Sequence, residues 1–295
     1  MVTTLKGNAP FLYYANPGNA GDNLIYFGMK TLFQQNNIEW LPFSEKNYRK
    51  NKRIVYSGGG NFVKYYTTCS DLIRKYDSSL EAFILLPHTI SNNEELLQNL
   101  DKRYKIYCRE KNSYAHCKTY ATGGAEVHLS NDLAFVLRNN DIVAHFPRLF
   151  PCHSIDRICR WTQKRKRSMN YVNSGGKFFF RNDCEQSKDR PTPAENLDIS
   201  IELITKQKTD AQMVTVAKGF LATLSKARVI HTDRLHVAIA GAIQGKAQVY
   251  LYPGSYHKNK SVYEHSIEPN FHNVAFLDNY VSFPFKLNSK RSHII

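Results

Sequence analysis

The segment His231-Thr-Asp-Arg-Leu-His236 sets an arginine and two histidines within six residues. It follows the apolar run 228–231 and opens an Ala- and Ile-rich stretch of helical character. Asp233 suits the N-cap of that helix. Arg234 falls in its first turn, where a cation opposes the helix dipole. A bound phosphate or carboxylate, which arginine grips through two parallel N–H bonds, accounts for Arg234 better than local structure does. His236 would face the same ligand and could move a proton. A histidine alone is as readily a packed residue; the grouping is what marks it.

Other polar groups recur in equivalent places. Arg109-Glu110, Pro87-His88-Thr89 and Arg181-Asn-Asp183 each follow an apolar run. Each alone is compatible with loop polarity. Together with Arg234 they place cationic and protonatable groups along one expected ligand-binding edge, which suits an anionic small substrate. Asn19-Ala-Gly-Asp22 joins a strand-like run to a helical one. Its glycine would let backbone approach an anion at the helix N-terminus; a tight turn capped by Asp22 is the equal alternative. Gly58-Gly-Gly60 could form an anion-binding nest. It lacks the third glycine of the dinucleotide fingerprint and the lysine of a P-loop, which disfavours dehydrogenases and P-loop NTPases.

The elements that must position these groups alternate. Runs at 11–14, 54–56, 83–86 and 104–107 read as strands separated by helical or polar stretches, with Leu24, Ile25, Met29, Leu32 and Phe33 at helical spacing. Around 157–168 the pattern gives way to Arg157, Arg160, Lys164, Arg165, Lys166 and Arg167, read as an inter-domain connection that is either a solvated linker or a contact for anionic lipid. A second alternating unit then runs through a strand at 177–181, a helix near 210–226, strands at 228–231 and 248–251, and a helix from Asp233. The expected fold is α/β, with two Rossmann-like domains facing a cleft. The N-terminal domain would span 1–165 and the C-terminal one 166–295, the last residues packing back on the first.

Forty Lys and Arg against 25 Asp and Glu give a formal charge of +15, which favours anionic partners. No apolar window approaches membrane-helix length and the start lacks a signal-peptide layout, so a cytoplasmic location is expected. The six cysteines include no CxxC and read as reduced thiols. Cys152-His153 with Cys159 is too poorly spaced for zinc, and no metal or organic cofactor is expected, although phosphate chemistry is compatible with a divalent ion. No RNA- or DNA-recognition motif accompanies the charge, so no specific nucleic-acid partner is expected.

As an ordered set, Gly18-Asn-Ala-Gly-Asp22, Gly58-Gly-Gly-Asn61, Leu86-Pro-His-Thr-Ile90, Cys108-Arg-Glu110, Ser130-Asn-Asp132, Phe180-Arg-Asn-Asp183 and Thr232-Asp-Arg-Leu-His236, followed by Lys260 and Tyr263, resemble the polysaccharide pyruvyl transferase family. The resemblance implies a GT-B-like arrangement of the two domains and transfer of the enolpyruvyl carbons of phosphoenolpyruvate onto two sugar hydroxyls, giving a pyruvate ketal and phosphate. It implies Arg234 and Arg109 as clamps for the donor, aided by Leu235, Asn19, Gly59 and Gly60. His236 and His88 would be the proton carriers, and Asp22, Asn61 and Asp183 the acceptor contacts. The family often carries glutamine where His88 stands. The acceptor would be a sugar of a capsule, exopolysaccharide or cell-wall precursor, or a lipid-linked oligosaccharide met at the inner membrane face. A GT-B glycosyltransferase using a nucleotide sugar is the alternative, because fold does not fix function.

Overall fold

The computed structural model describes residues 1–16, 18–139, 155–190, 193–204 and 209–280, with backbone alone at 139 and 155–160. Two compact units emerge: Met1–Gly18 with Ile25–Asn139, and Asn19–Leu24 with the residues from Asn140 onward.

In the first unit seven strands form one sheet: β1 (Phe11–Tyr14), β2 (Trp40–Pro42), β3 (Arg53–Tyr56), β4 (Gly59–Phe62), β5 (Ala82–Ile90), β6 (Tyr104–Cys108) and β7 (Glu126–Leu129). Their order is β2-β1-β3-β5-β6-β7, with β4 also on β5, and every pair is parallel. Parallel strands covered on both faces read as continuous apolar runs rather than alternating ones. β5 is buried from Phe83 to Ile90 and shows that pattern most fully. The Thr68–Tyr76 helix buries Cys69, Leu72, Ile73 and Tyr76, one stripe at helical spacing, against a core that includes Leu12, Ile54, Phe83 and Tyr104.

In the second unit β8 (Val229–Thr232), β9 (Gln248–Leu251) and β10 (Val274–Phe276) form a parallel sheet in the order β10-β9-β8. The Asp210–Leu224 helix starts at a capping box of Thr209 and Gln212, and the Leu235–Gln244 helix stops at Gly245 in the left-handed conformation. No described helix is long and apolar enough to cross a membrane.

The chain is thus α/β with mostly parallel, Rossmann-like sheets. Strands expected at 11–14 and 248–251 match β1 and β9. Three expectations are corrected. The basic segment 157–168 is no linker, because it lies within a helix, Ile155–Asn173. There Trp161, Ser168 and Val172 face inward and Arg165 lies over the Trp161 ring, while Lys166 and Arg167 are exposed, Arg167 pairing with Glu202 at 2.6 Å. The strand expected at 177–181 is reduced to one parallel bridge, Phe178 to His231. The strand expected to end at 86 continues to Ile90, so Pro87, His88 and Thr89 are inside β5 rather than beyond it. Cys152, His153, the Cys159 side chain, the Arg157 and Arg160 side chains and the last fifteen residues, which were expected to pack back, lie outside the described residues.

Candidate functional site

Between β8 and the Leu235–Gln244 helix the chain turns on Thr232, whose hydroxyl donates to the Phe179 carbonyl (2.7 Å) and accepts from the Arg234 N–H (2.9 Å). That hydroxyl displaces Asp233 from the capping role expected of it: Arg234 is the N-cap residue, without a side-chain cap. Asp233 instead accepts the Arg181 N–H at 2.7 Å and lies 3.5 Å from Arg190 Nε. Burial pushes its carboxyl up to about 6, against the pull of the Arg181 N–H and of Arg190.

Arg234 is buried, and all three guanidinium nitrogens have partners. Nε and Nη2 donate to Asp198 at 3.0 and 2.5 Å, and Nη1 meets Asp183 at 2.8 Å. Asp183 also binds Arg181 at 2.7 Å, and Arg181 reaches Glu185 at 2.5 Å, which Lys258 holds at 2.5 Å. Arg181, Arg190, Arg234 and Lys258 therefore face Asp183, Glu185, Asp198 and Asp233. Four charges of each sign offset the desolvation that would make any one of them costly alone. Burial raises the Glu185 carboxyl, but Lys258 and Arg181 outweigh it and hold it at about 2. Burial likewise opposes Arg181 and Arg234 at Asp183, whose carboxyl still lies below its usual range.

His236, half-buried in the first turn after Arg234, packs on residues 19–24, which belong to the same unit. A Cβ built on Gly21 would lie 2.5 Å from His236 Nδ1 and 2.8 Å from its Cβ, so only glycine admits the ring at this distance. The Asn19 side chain accepts the Gly21 N–H (2.8 Å) and Asp22 accepts the Asn19 N–H (2.6 Å). Asn19 thus caps the Ala20–Gln35 helix and Asp22 reciprocates, where Asp22 was expected to cap. Leu235 is buried at 4% exposure, so any donor contact it makes is through its backbone.

His88, Arg109, Gly59, Gly60 and Asn61 belong to the first unit. His88 Nε2 accepts the Asn61 N–H at 3.0 Å, which puts any ring proton on Nδ1. Burial, then Arg109, pushes the imidazole down to about 3, with the Ser57 carbonyl and Asp132 opposing. It is neutral at physiological pH. Gly59, at φ 141°, adopts a conformation that favours glycine, and it pairs with His88 across β4 and β5; two of the three glycines of the expected nest, Gly59 and Gly60, therefore lie in a strand. Asn61 donates to the Tyr56 hydroxyl at 2.6 Å and to Asn16 at 3.2 Å. Arg109 is 1% exposed, donating to Thr89 and to Asp132 at 2.8 Å each, and Glu110 caps the Lys111–Tyr120 helix.

Three groupings result: His236 over Gly21 with Asn19 and Asp22, Arg234 with Asp183, and His88 with Asn61 and Gly59. Asp198, Glu185, Arg190 and Lys258, which complete the ionic cluster, carry no sequence signal beyond their charge. Among the described residues no group of three or more His, Cys, Asp or Glu side chains could hold a metal ion.

A family model described as polysaccharide pyruvyl transferase matches residues 19–255. Among curated proteins none matches. The crystal structure of a functionally uncharacterized protein from Klebsiella pneumoniae subsp. pneumoniae NTUH-K2044 is similar, with TM-score 0.73 and 23% identity over 94% of this chain and 96% of that one; the likeness is one of fold.

Proposed function

The chain belongs to the polysaccharide pyruvyl transferase family, and on that footing we propose that it transfers the enolpyruvyl unit of phosphoenolpyruvate to a glycan sugar. Membership makes it a transferase for pyruvyl transfer on polysaccharide. In the proposed reaction two sugar oxygens bond to the central carbon of the donor, whose bond to phosphate oxygen breaks. One hydroxyl proton ends on the methylene carbon, making it methyl, and the other leaves with phosphate. The change is redox-neutral and needs no organic cofactor. The product is a cyclic ketal.

The observation that carries this reading is the seating of His236 on Gly21, which brings two motifs from opposite ends of the matched region together. His236 stands at the start of one helix and over the start of another, where the helix dipoles favour a phosphate. It serves as the proton carrier, with Asn19 and Asp22 fixing the turn beneath it. Arg234 is the donor's cationic clamp. His88, neutral and buried, is read as positioning Asn61 for acceptor contact rather than as an acid. Arg109, tied to Asp132, steadies the β5 and β6 ends beside it. The two α/β units are taken as GT-B-like halves. The acceptor is taken as a precursor of capsule, exopolysaccharide or cell-wall glycan, carried on lipid at the cytoplasmic membrane face; the +15 charge supports that location.

Calorimetric titration with phosphoenolpyruvate, and separately with nucleotide sugars, tests the donor. Saturable phosphoenolpyruvate binding is expected, with His236→Ala lowering turnover by about 10²–10⁴ and leaving donor affinity nearly unchanged. Binding of a nucleotide sugar alone would make the protein a glycosyltransferase.

A further inference from the structure

We infer that Asp183 is an internal stand-in for a substrate anion, covering a two-arginine site formed by Arg181 and Arg234. The inference rests on the reading of Arg234 as donor clamp and adds Arg181 to it. Each nitrogen of the Arg234 guanidinium already meets a carboxylate, Asp198 at Nε and Nη2 and Asp183 at Nη1, three contacts for a group that carries five N–H donors. A carboxylate or phosphate that is to bridge Arg234 Nη1 and Arg181 therefore competes with Asp183 for that position.

The two carboxylates differ in how easily they leave. Asp198 grips Arg234 through both oxygens, also accepts the Asn182 N–H at 2.9 Å, and its side chain is 6% exposed. Asp183 meets Arg234 through one contact, and its side chain is 25% exposed against 3% for Glu185 and 0% for Asp233. It is the member of the cluster that faces water. Its oxygens bridge the two guanidinium groups: Oδ1 is 2.7 Å from Arg181 Nε, while Oδ2 is 3.3 Å from Arg181 Nη2 and 2.8 Å from Arg234 Nη1. An anion that took its place would inherit contacts to both arginines, whose side chains are each 5% exposed. Glu185 and Asp198 would keep the arginines oriented meanwhile. Such geometry favours a compact oxyanion, either carboxylate or phosphate, and disfavours a neutral sugar.

The test is titration of inorganic phosphate into wild type, Asp183→Asn and Asp189→Asn at constant ionic strength. Asparagine keeps an oxygen to accept the Glu185 N–H and removes the competing charge. Asp189, exposed in the same loop, controls for net charge. Asp183→Asn is expected to bind phosphate about tenfold more tightly or better, the scale of removing a juxtaposed like charge, while Asp189→Asn stays near wild type. Equal affinity in wild type and Asp183→Asn, or equal tightening in both variants, overturns the inference. If Asp183→Asn folds poorly, the phosphate-dependent rise in Tm of Asp183→Ser reads the same competition. A parallel titration with phosphoenolpyruvate separates the two readings: tightened phosphate binding without any preference for phosphoenolpyruvate keeps the site and removes the donor.

Discussion

His236 and Gly21 make a strict pair, because the missing Cβ is what lets the ring lie on the turn. Gly21→Ala would gain helix propensity in isolation, yet here it must push the imidazole away. Loss of about 1–3 kcal/mol of stability is expected by overpacking, together with a fall in turnover close to that of His236→Ala; unchanged turnover would detach the turn from the chemistry. His88 makes a different prediction. Its folded pKa of about 3 lies below the ordinary 6.5, so between those values the unfolded chain binds more protons and stability is lost as pH falls. His88→Gln retains an acceptor for the Asn61 N–H and does not titrate. Urea denaturation should show the variant gaining on wild type by about 3 kcal/mol between pH 7 and pH 4; a constant gap would mean that the ring charges in the folded state. At this scale the sequence disclosed the polar residues at the strand ends but not the partners that hold them. Arg234 and Arg109 read as open clamps because their partners, Asp198 and Asp132, stand 36 and 23 residues away and nothing local announces them.

Among the elements, the strands were legible where apolar runs were continuous, as in β1 and β3, since parallel strands are buried on both faces. β2, β7 and β10 were not legible: each has three or four residues and much of its surface half-buried or exposed. The Ile155–Asn173 helix escaped because its basic residues obscure a stripe in which Trp161, Ser168 and Val172 alternate at helical spacing. Close approach also fixes an element that periodicity alone leaves undetermined. A Cβ on Gly28 of the Ala20–Gln35 helix would run into the Leu133 carbonyl, a backbone atom that cannot rotate aside. Gly28→Ala should therefore cost about 3 kcal/mol, outweighing the ordinary helical gain of alanine. Thermal unfolding measures it, and a stabilised variant would show that the helix can slide.

For the molecule as a whole, the +15 charge is the property read most directly and explained least by the fold. The buried cluster uses its cations against equal anions, so the excess lies elsewhere. Binding to vesicles rich in anionic lipid should be strong at low salt and largely gone near ~0.3 M, where screening shortens the reach of exposed charge. Neutralising Lys166 and Arg167 should weaken it by about 1 kcal/mol per residue; indifference to both salt and these residues would remove the membrane from the proposal. The paths of the two units through the chain carry another consequence. Residues 19–24 belong to the second unit although the first unit supplies the chain on either side of them. Neither unit is therefore an exchangeable cassette. A gene fusion or recombination event that joined one homologue's residues 1–139 to another's remainder would pair a foreign turn with the resident His236. A chimera built to keep His236 seated should therefore carry those six residues with the far half of the gene.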